Sequence, residues 1–574
     1  MNTIGGGSLS IHFNIMNSLN KIIHTVLFLI FLLIPYYAIS NAKIKEPNNE
    51  KPKLIVSIVI DQFRDEFLNR YYNQIGDKGF KKLLKRGFSY RNAHYNFMPT
   101  GTGPGHSAIF TGATPSISGI VNNAWFDRSS GKKINVVNGN ERYKAIGIPD
   151  SINIGRASPE KLLVNTFSDE LKKYHQFRSK SITVSIKDRS SILSGGLTAD
   201  QAYWFDYRTG NFISSTYYIN ELPFWVKKFN ESKIKDSLNN LTWNLSVNYN
   251  NQNLLSRKDN NRYERKLGGK ESPTFPYNLK SLNEGYNDYF FLPYTPFGND
   301  IVELFAEQAI LQENLGLSET IDFLAINFSS LDYAGHIFGP YSLELEDLVI
   351  KLDKTIGRLI DFLDKVIGDN NYLIMLTSDH GALGAPEYLK DNRLNSGVFN
   401  PDSLLASANN YLKSVFKHED LIVSGDNYQF YFDKKKIISN NIDELRISKH
   451  LKSFLIKKDF IHSVYTKEEL INSQYHDHIS QLLKNGYYEK RSGDIFYISL
   501  PGWLGFSGRI ITGHGSPFVY DTHVPILWYG KNIRPGSSYR KVSITSIAPT
   551  LSLLSGVMIP NGSFDPPLIE LFSF

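Results

Sequence analysis

Five short apolar runs, rich in β-branched residues, punctuate the chain at 54–60 (LIVSIVI), 181–186 (SITVSI), 321–328 (IDFLAINF), 372–377 (YLIMLT) and 524–529 (VPILWY). Runs of this kind suit strands covered on both faces, and the helical patterns between them imply a mostly parallel central sheet flanked by helices. The fold expected is therefore α/β. The segment 349–367 (VIKLDKTIGRLIDFLDKVI) carries apolar residues at helical spacing and is expected to pack on that sheet. Two regions differ in texture. Residues 206–299 are rich in Asn, Lys and Tyr and read as a surface insertion or lid; 400–500 alternates helical and strand signals and reads as an inserted α/β subdomain. A length of 574 residues accommodates such a core with its insertions.

The first 40 residues read differently from the rest. Residues 25–34 (TVLFLIFLLI) are uniformly apolar, Lys21 precedes them, and Ala38 and Ser40 supply small residues at −3 and −1 of a cut after Ser40. That is a secretory signal within 1–40, with Met16 as the expected start of translation and a cut after Ala42 as the competitor. The run is short of the roughly 20 apolar residues that a span needs. The mature chain, 41–574, is thus expected to be a single catalytic domain, periplasmic or secreted, with no stable membrane span. Cysteine is absent, which excludes a disulfide framework, a thiolate metal site and a Cys nucleophile. The net charge of +7 is spread along the chain, so no nucleic-acid partner is expected.

Chemistry gathers where the core runs end. Asp61 follows the first run directly; Asp332 and His336 stand in SSLDYAGHIFG after the third; Asp379 and His380 stand in LTSDHGALG after the fourth. Ligands of open parallel sheets collect at the carboxyl ends of strands. Asp332 and His336, four apart, share one face of a helical turn. Asp379 and His380 can serve one metal only if the chain turns, for which Gly381 offers freedom. His514 lies in the loop TGHGSP. Each taken alone has an ordinary alternative, such as a capping Asp or a surface His. Together, three Asp and three His suffice for two metals with oxygen and nitrogen ligands, zinc first among the candidates. His476, Asp477 and His478 also cluster, but away from any strand end, and are read as a solvated face.

Thr102, in MPTGTGPGHSAIFTG, sits just before Gly103-Pro104 at the start of a helical pattern. A helix N-terminus there stabilises a phosphate, and a nearby metal makes the hydroxyl a usable nucleophile; a plain N-cap is the competing role. Lys187 and Arg189, in IKDRSSIL, are two apart, on one side of an extended chain, and suit the several oxygens of a dianionic phosphoryl group. A solvated charge run is the alternative.

With these motifs in order from Leu54 to the C-terminal SIAPTLSLLSG, the chain resembles the alkaline phosphatase superfamily, and within it the phosphate-irrepressible alkaline phosphatases. The resemblance rests on IVIDQFR, PTGTGPGHSAIFTGATP, GIVNNAWFDR, SIKDRSSIL with AYWFDYRTGNF, LDYAGHIFGP, TSDHG and TGHGSPFVYDTHVPILWYG. It implies that Thr102 is the nucleophile; that Asp61, Asp379 and His380 hold the zinc that activates it; and that Asp332, His336 and His514 hold a second zinc on the leaving-group side. It also implies that Asn123, Lys187 and Arg189 bind the phosphoryl oxygens. Ser118, Asn122 and Ser546 stand where relatives usually carry His, Gly and Asp; none is a ligand candidate.

The expected activity is hydrolysis of phosphate monoesters, by a monomer using two Zn2+, through a phosphothreonine. One rival is a phosphodiesterase or nucleotide pyrophosphatase of the same superfamily, on whose singly charged substrate the Lys187 and Arg189 pair would be wasted. The other is a non-catalytic secreted binding protein on this fold, against which stand six intact ligand candidates. A sulfatase would need a Cys.

Overall fold

Strand β1 (Leu54–Ile60) is buried along its whole length, and the reason is its place at the middle of the sheet. The computed structural model describes residues 50–149, 156–246, 256–472, 477–506 and 510–572. The signal at 1–40 and His476 lie outside them. The remaining principal strands are β2 (Phe88–His94), β3 (Ser181–Ser185), β4 (Gln201–Asp206), β5 (Asn211–Ser215), β6 (Asp322–Phe328), β7 (Tyr372–Thr377) and β8 (His523–Gly530). Their order is β2-β8-β7-β1-β6-β3-β4-β5, with short strands extending both edges.

From β7 through β1, β6 and β3 to β4 the neighbours are parallel. Strand β8 runs antiparallel to both β7 and β2, and β5 antiparallel to β4. The run 524–529 is therefore a strand of the expected sheet, but reversed. Burial on both faces makes a strand apolar whichever way it points, so its composition carries no direction.

Each face of β1 enters a different core. Leu54, Val56, Ile58 and Ile60 join one cluster, while Ile55 and Val59 join another. Helix α1 (Thr102–Thr111) contributes Ala108, Ile109 and Phe110 to the second cluster. Helix α2 (Asp188–Gly195) follows β3, α3 (Pro296–Gln312) precedes β6, α4 (Ser330–Phe338) follows it, and α5 (Leu343–Val366) leads to β7. The expected helix at 349–367 thus begins earlier. Ser342 caps it, accepting from the Leu345 amide, and Glu344 and Glu346 add a favourable first-turn charge.

The two regions of unusual texture fold differently. Within 206–299, Asn211–Ser215 is the main-sheet strand β5, and Phe212, Val226, Phe229 and Trp243 pack into the larger core. This segment is more than a surface lid. Polar Asn-rich links mask its apolar anchors, which are mostly aromatic and widely spaced. Within 400–500, by contrast, Ile422–Asp426, Gln429–Phe432, Ile495–Ser499 and Ile461–Thr466 form a separate antiparallel sheet in that spatial order. Pro401–Phe416 and Glu444–Leu455 pack on it around Leu404, Leu412, Phe430 and Leu451.

Candidate active site

The parallel register builds the site. Ile60 pairs with Phe328 and Val59 with Thr377, so the chain leaves β1, β6 and β7 at one level and one edge. Asp61, Asp332, Asp379 and His380 are released there, all at most 5% exposed. Helix α1 closes on them from the side. A methyl group at Gly105 would stand 2.4 Å from the Asp379 carbonyl oxygen, so only glycine permits this approach.

Two overlapping groups of ligand atoms result, each within 4.8 Å of one another: Asp61, Asp379 and His380, and Asp332, His380 and His514. His380 belongs to both, and its ring stacks on that of His514 with centroids 3.5 Å apart. His336 Nε2 lies 3.1 Å from Asp332 Oδ1, placing it beside the second group. All six predicted ligands are therefore brought together, although the closest three in the second group include His380 rather than His336.

The histidines share one device. Nδ1 of His336, His380 and His514 faces the carbonyl oxygens of Thr512, Gly381 and Thr100, each at 2.9 Å. A backbone carbonyl can only accept, so Nδ1 carries a hydrogen and Nε2, on the carboxylate side, is the nitrogen left to bind a proton or a cation. Asp379 Oδ2 and His380 Nε2 are buried without a hydrogen-bond partner, and the Asp61 oxygens face only Lys187 Nζ at 2.5 Å and His380 Nε2 at 3.3 Å. Burying such groups unpaired is costly, and a divalent cation among oxygen and nitrogen donors removes the cost. The residues fit metal ions.

Electrostatics inside the site is asymmetric. Burial and Asp332 push Asp61 upward, but Lys187 Nζ at 2.5 Å and His380 outweigh them, and the carboxyl stays well below its usual range. Burial and Asp61 raise Asp379, which has no such contact with Lys187, to about 8. Burial also works against charge on His380, yet Asp379 and Asp61 lift it to about 9. Lys187 Nζ bridges the two groups, donating to Asp332 Oδ2 at 2.6 Å.

Thr102 is the first residue of α1, one position inside the helix rather than its cap, which is Gly101. Its hydroxyl is buried, 3.5 Å from Lys187 Nζ. Asn123 Oδ1 accepts from the Gly103 amide at 2.6 Å, which leaves the Asn123 amide nitrogen free to donate. Asn122 orients this neighbour, its Oδ1 accepting from the Asn123 backbone N–H at 2.7 Å, so that departure from the family pattern touches the site. Lys187 is extended, but as the cap of α2; Arg189 is already helical. The extended-chain argument for their common direction does not apply. Arg189 Nε is nonetheless buried without a hydrogen-bond partner. Gly381 likewise differs from expectation: its φ is not left-handed, and a methyl there would stand 2.2 Å from the Tyr520 carbonyl oxygen.

Three supporting residues escaped the sequence reading. His106 Nδ1 faces the Thr102 carbonyl at 2.8 Å and lies 3.5 Å from Asp379 Oδ2, while its Nε2 faces Asn327 Oδ1 at 3.1 Å. Gln62, at φ 66°, donates its side-chain amide to Asp332 Oδ1 and its backbone amide to Asp379 Oδ1. Asn327 ties the end of β6 to α2, donating to the Ser190 carbonyl at 3.2 Å. The spacing of His106 from Thr102, one helical turn, was the available signal. Asp477 caps the helix His478–Gly486, accepting from the Ile479 and Ser480 amides.

Comparison with known proteins agrees with this construction. The family model for type I phosphodiesterase / nucleotide pyrophosphatase matches residues 55–516. The chain is 37% identical over 522 residues to alkaline phosphatase PafA of Elizabethkingia meningoseptica, covering 91% of this chain and 94% of the relative. It is 38% identical over 524 residues to alkaline phosphatase PhoV of Synechococcus elongatus, covering 91% and 93%. It is also 38% identical over 526 residues to a protein of Myroides odoratus named calcium-transporting ATPase, covering 91% and 95%. The crystal structure of wild-type PafA matches with a TM-score of 0.87 over 91% of this chain and 99% of that one. The chain belongs to the type I phosphodiesterase / nucleotide pyrophosphatase family of the alkaline phosphatase superfamily.

Proposed function

We propose that the chain is an exported alkaline phosphatase that hydrolyses phosphate monoesters through a phosphothreonine at Thr102. The observation that carries this reading is the buried Thr102 hydroxyl at the start of α1, with Lys187 on one side and the two carboxylate–imidazole groups beside it. Asp61, Asp379 and His380 would hold one Zn2+, and Asp332, His336 and His514 a second. Bound zinc supplies neutralisation of charge and a lowered pKa for an adjacent hydroxyl or water.

The chain's own groups do the rest. Thr102 Oγ1 forms a bond to phosphorus as the ester P–O bond breaks and the alcohol leaves. Water then forms the new P–O bond, the Oγ1–P bond breaks, and inorganic phosphate is released. Asn123 donates to one phosphoryl oxygen, while Lys187 and Arg189 hold the others, and the amides opening α1 favour the added negative charge. Phosphoryl transfer passes through a loose transition state, so positioning and charge carry most of the catalysis. Export rests on the apolar run at 25–34 and the small residues before the cut.

The family's name raises diester cleavage as the second reading. A diester has one charge fewer and a substituent where Lys187 and Arg189 would bind oxygen. The test is the ratio of kcat/KM for 4-nitrophenyl phosphate to that for methyl 4-nitrophenyl phosphate. The proposal expects strong preference for the monoester, lost in the Lys187→Ala/Arg189→Ala double variant; preference for the diester would overturn it. ATP belongs in the same assay, because the cleavage implied by the Myroides relative's name is attack at a terminal phosphoryl group.

A further inference from the structure

A cavity of about 450 Å³ is walled by stretches of chain close to the metal-ligand candidates, and none of those candidates lines it. Its walls come from the same segments. Arg64 follows Asp61 on the chain, Leu383 follows His380, and Tyr520 follows His514; Tyr341, Leu389 and Leu394 add to the apolar lining, with Leu500 and Pro501. The volume falls in the range of small-molecule sites, which are mostly apolar with a few placed polar groups.

Arg64 is the charged group here, with Asn395 a second polar one. It is 8% exposed, and its Nη1 is buried without a hydrogen-bond partner. Its Nη2 lies 3.3 Å from Glu66 Oε1, but Arg70 shares that same oxygen at 3.1 Å. One carboxylate thus faces two guanidinium groups, which stand 5.4 and 4.6 Å from the Tyr341 ring centroid. Asp521, a buried acid whose charge Arg64 favours, has its Oδ2 taken by the Ser516 amide and hydroxyl at 2.8 and 2.6 Å. Arg64 therefore shares its ion-pair partner with Arg70 and keeps a buried, unpartnered Nη1 in the wall of a leucine- and tyrosine-lined space.

We propose that this cavity is a second ligand site, taking a small molecule with an apolar or aromatic body and one carboxylate, the carboxylate on Arg64. The site also touches the catalytic loop. A methyl at Gly384 would come within 2.9 Å of Tyr341 Cε2, so the segment after His380 has no slack against the cavity wall. Binding is independent of what the first site catalyses and is measured without turnover.

The test is calorimetric titration of the purified full-length protein with phenylacetate, 3-phenylpropionate and 4-phenylbutyrate, in saturating inorganic phosphate. The proposal expects saturable binding of at least one acid with phosphate present, and at least about tenfold weaker binding of the matching alcohol. Leu394→Trp, at a position 55% exposed, should fill the space and abolish binding, and Arg64→Met should weaken it by at least about tenfold. If Arg64→Met does not fold, the acid–alcohol comparison reads the same charge. No saturable binding, displacement by phosphate, or binding that survives Leu394→Trp overturns the proposal. None of these outcomes bears on the monoester assay, so the two readings fail separately.

Discussion

Among the described residues two pairs of histidines stack, and they differ in what faces their ring nitrogens. His380 and His514 stack at 3.5 Å and 17°; His94 and His523 stack at 4.6 Å and 14°. In the first pair each Nδ1 meets a backbone carbonyl and each Nε2 is turned toward carboxylates. In the second, His94 Nε2 is engaged by Asn92 Oδ1 at 2.8 Å and His523 Nε2 by the Arg91 carbonyl at 3.1 Å. Asp65 is the acid close to His523, at 3.7 Å. Ring stacking alone therefore says nothing about ligation. What separates the pairs is which nitrogen the backbone takes and how many carboxylates wait on the other side.

The contrast can be broken most severely at Thr102. Thr102→Ala should lower monoester kcat by about 10⁴-fold or more and abolish phosphate trapped on the protein, while bound zinc is retained. His380→Ala should remove activity together with zinc, because that ring serves both ligand groups. A less severe break is His106→Ala, which leaves all six ligands but frees Asp379 and the first turn of α1. An activity or zinc affinity lower by about 10–100-fold is expected. Protein phosphate trapping, metal analysis and steady-state rates distinguish these three cases.

Acidity sharpens the same comparison. Asp379 and His380 are held to about 8 and about 9, so at neutral pH protons compete with a cation for both. Only the deprotonated groups ligate, and zinc affinity of the chelator-treated protein should climb as pH rises from 7 to 9 and flatten above. A flat profile over that interval would contradict the assignment. The smallest effect belongs to the other pair. His94→Ala should leave zinc content unchanged and monoester kcat/KM within about twofold, with a stability loss of about 0.5–3 kcal/mol, measured by denaturant titration.

Much of this was legible in the residues, for identifiable reasons. Asp61, Asp332, Asp379 and His380 were found because strands buried on both faces stand out and ligands gather where they end. Gathering the ligands into groups was less legible. That His380 lies between both groups depends on how its ring stacks against His514, from a loop more than a hundred residues away. Direction was hidden in β8, since an apolar run has no polarity. Arg189 was associated with Lys187 through extended spacing, whereas a helix begins between them. His106 and Gln62 escaped because side chains they meet, Asn327, Asp379 and Asp332, are distant in sequence and are brought to them only by the fold.

The central claim, that three carboxylates and three imidazoles cage a pair of cations beside one threonine, is tested most directly by metal stoichiometry. Plasma mass spectrometry of the purified protein should give two zinc ions per chain, falling to one or fewer in Asp61→Asn and in Asp332→Asn. A wild-type chain that binds no zinc stoichiometrically, or an unchanged content in both variants, would contradict it.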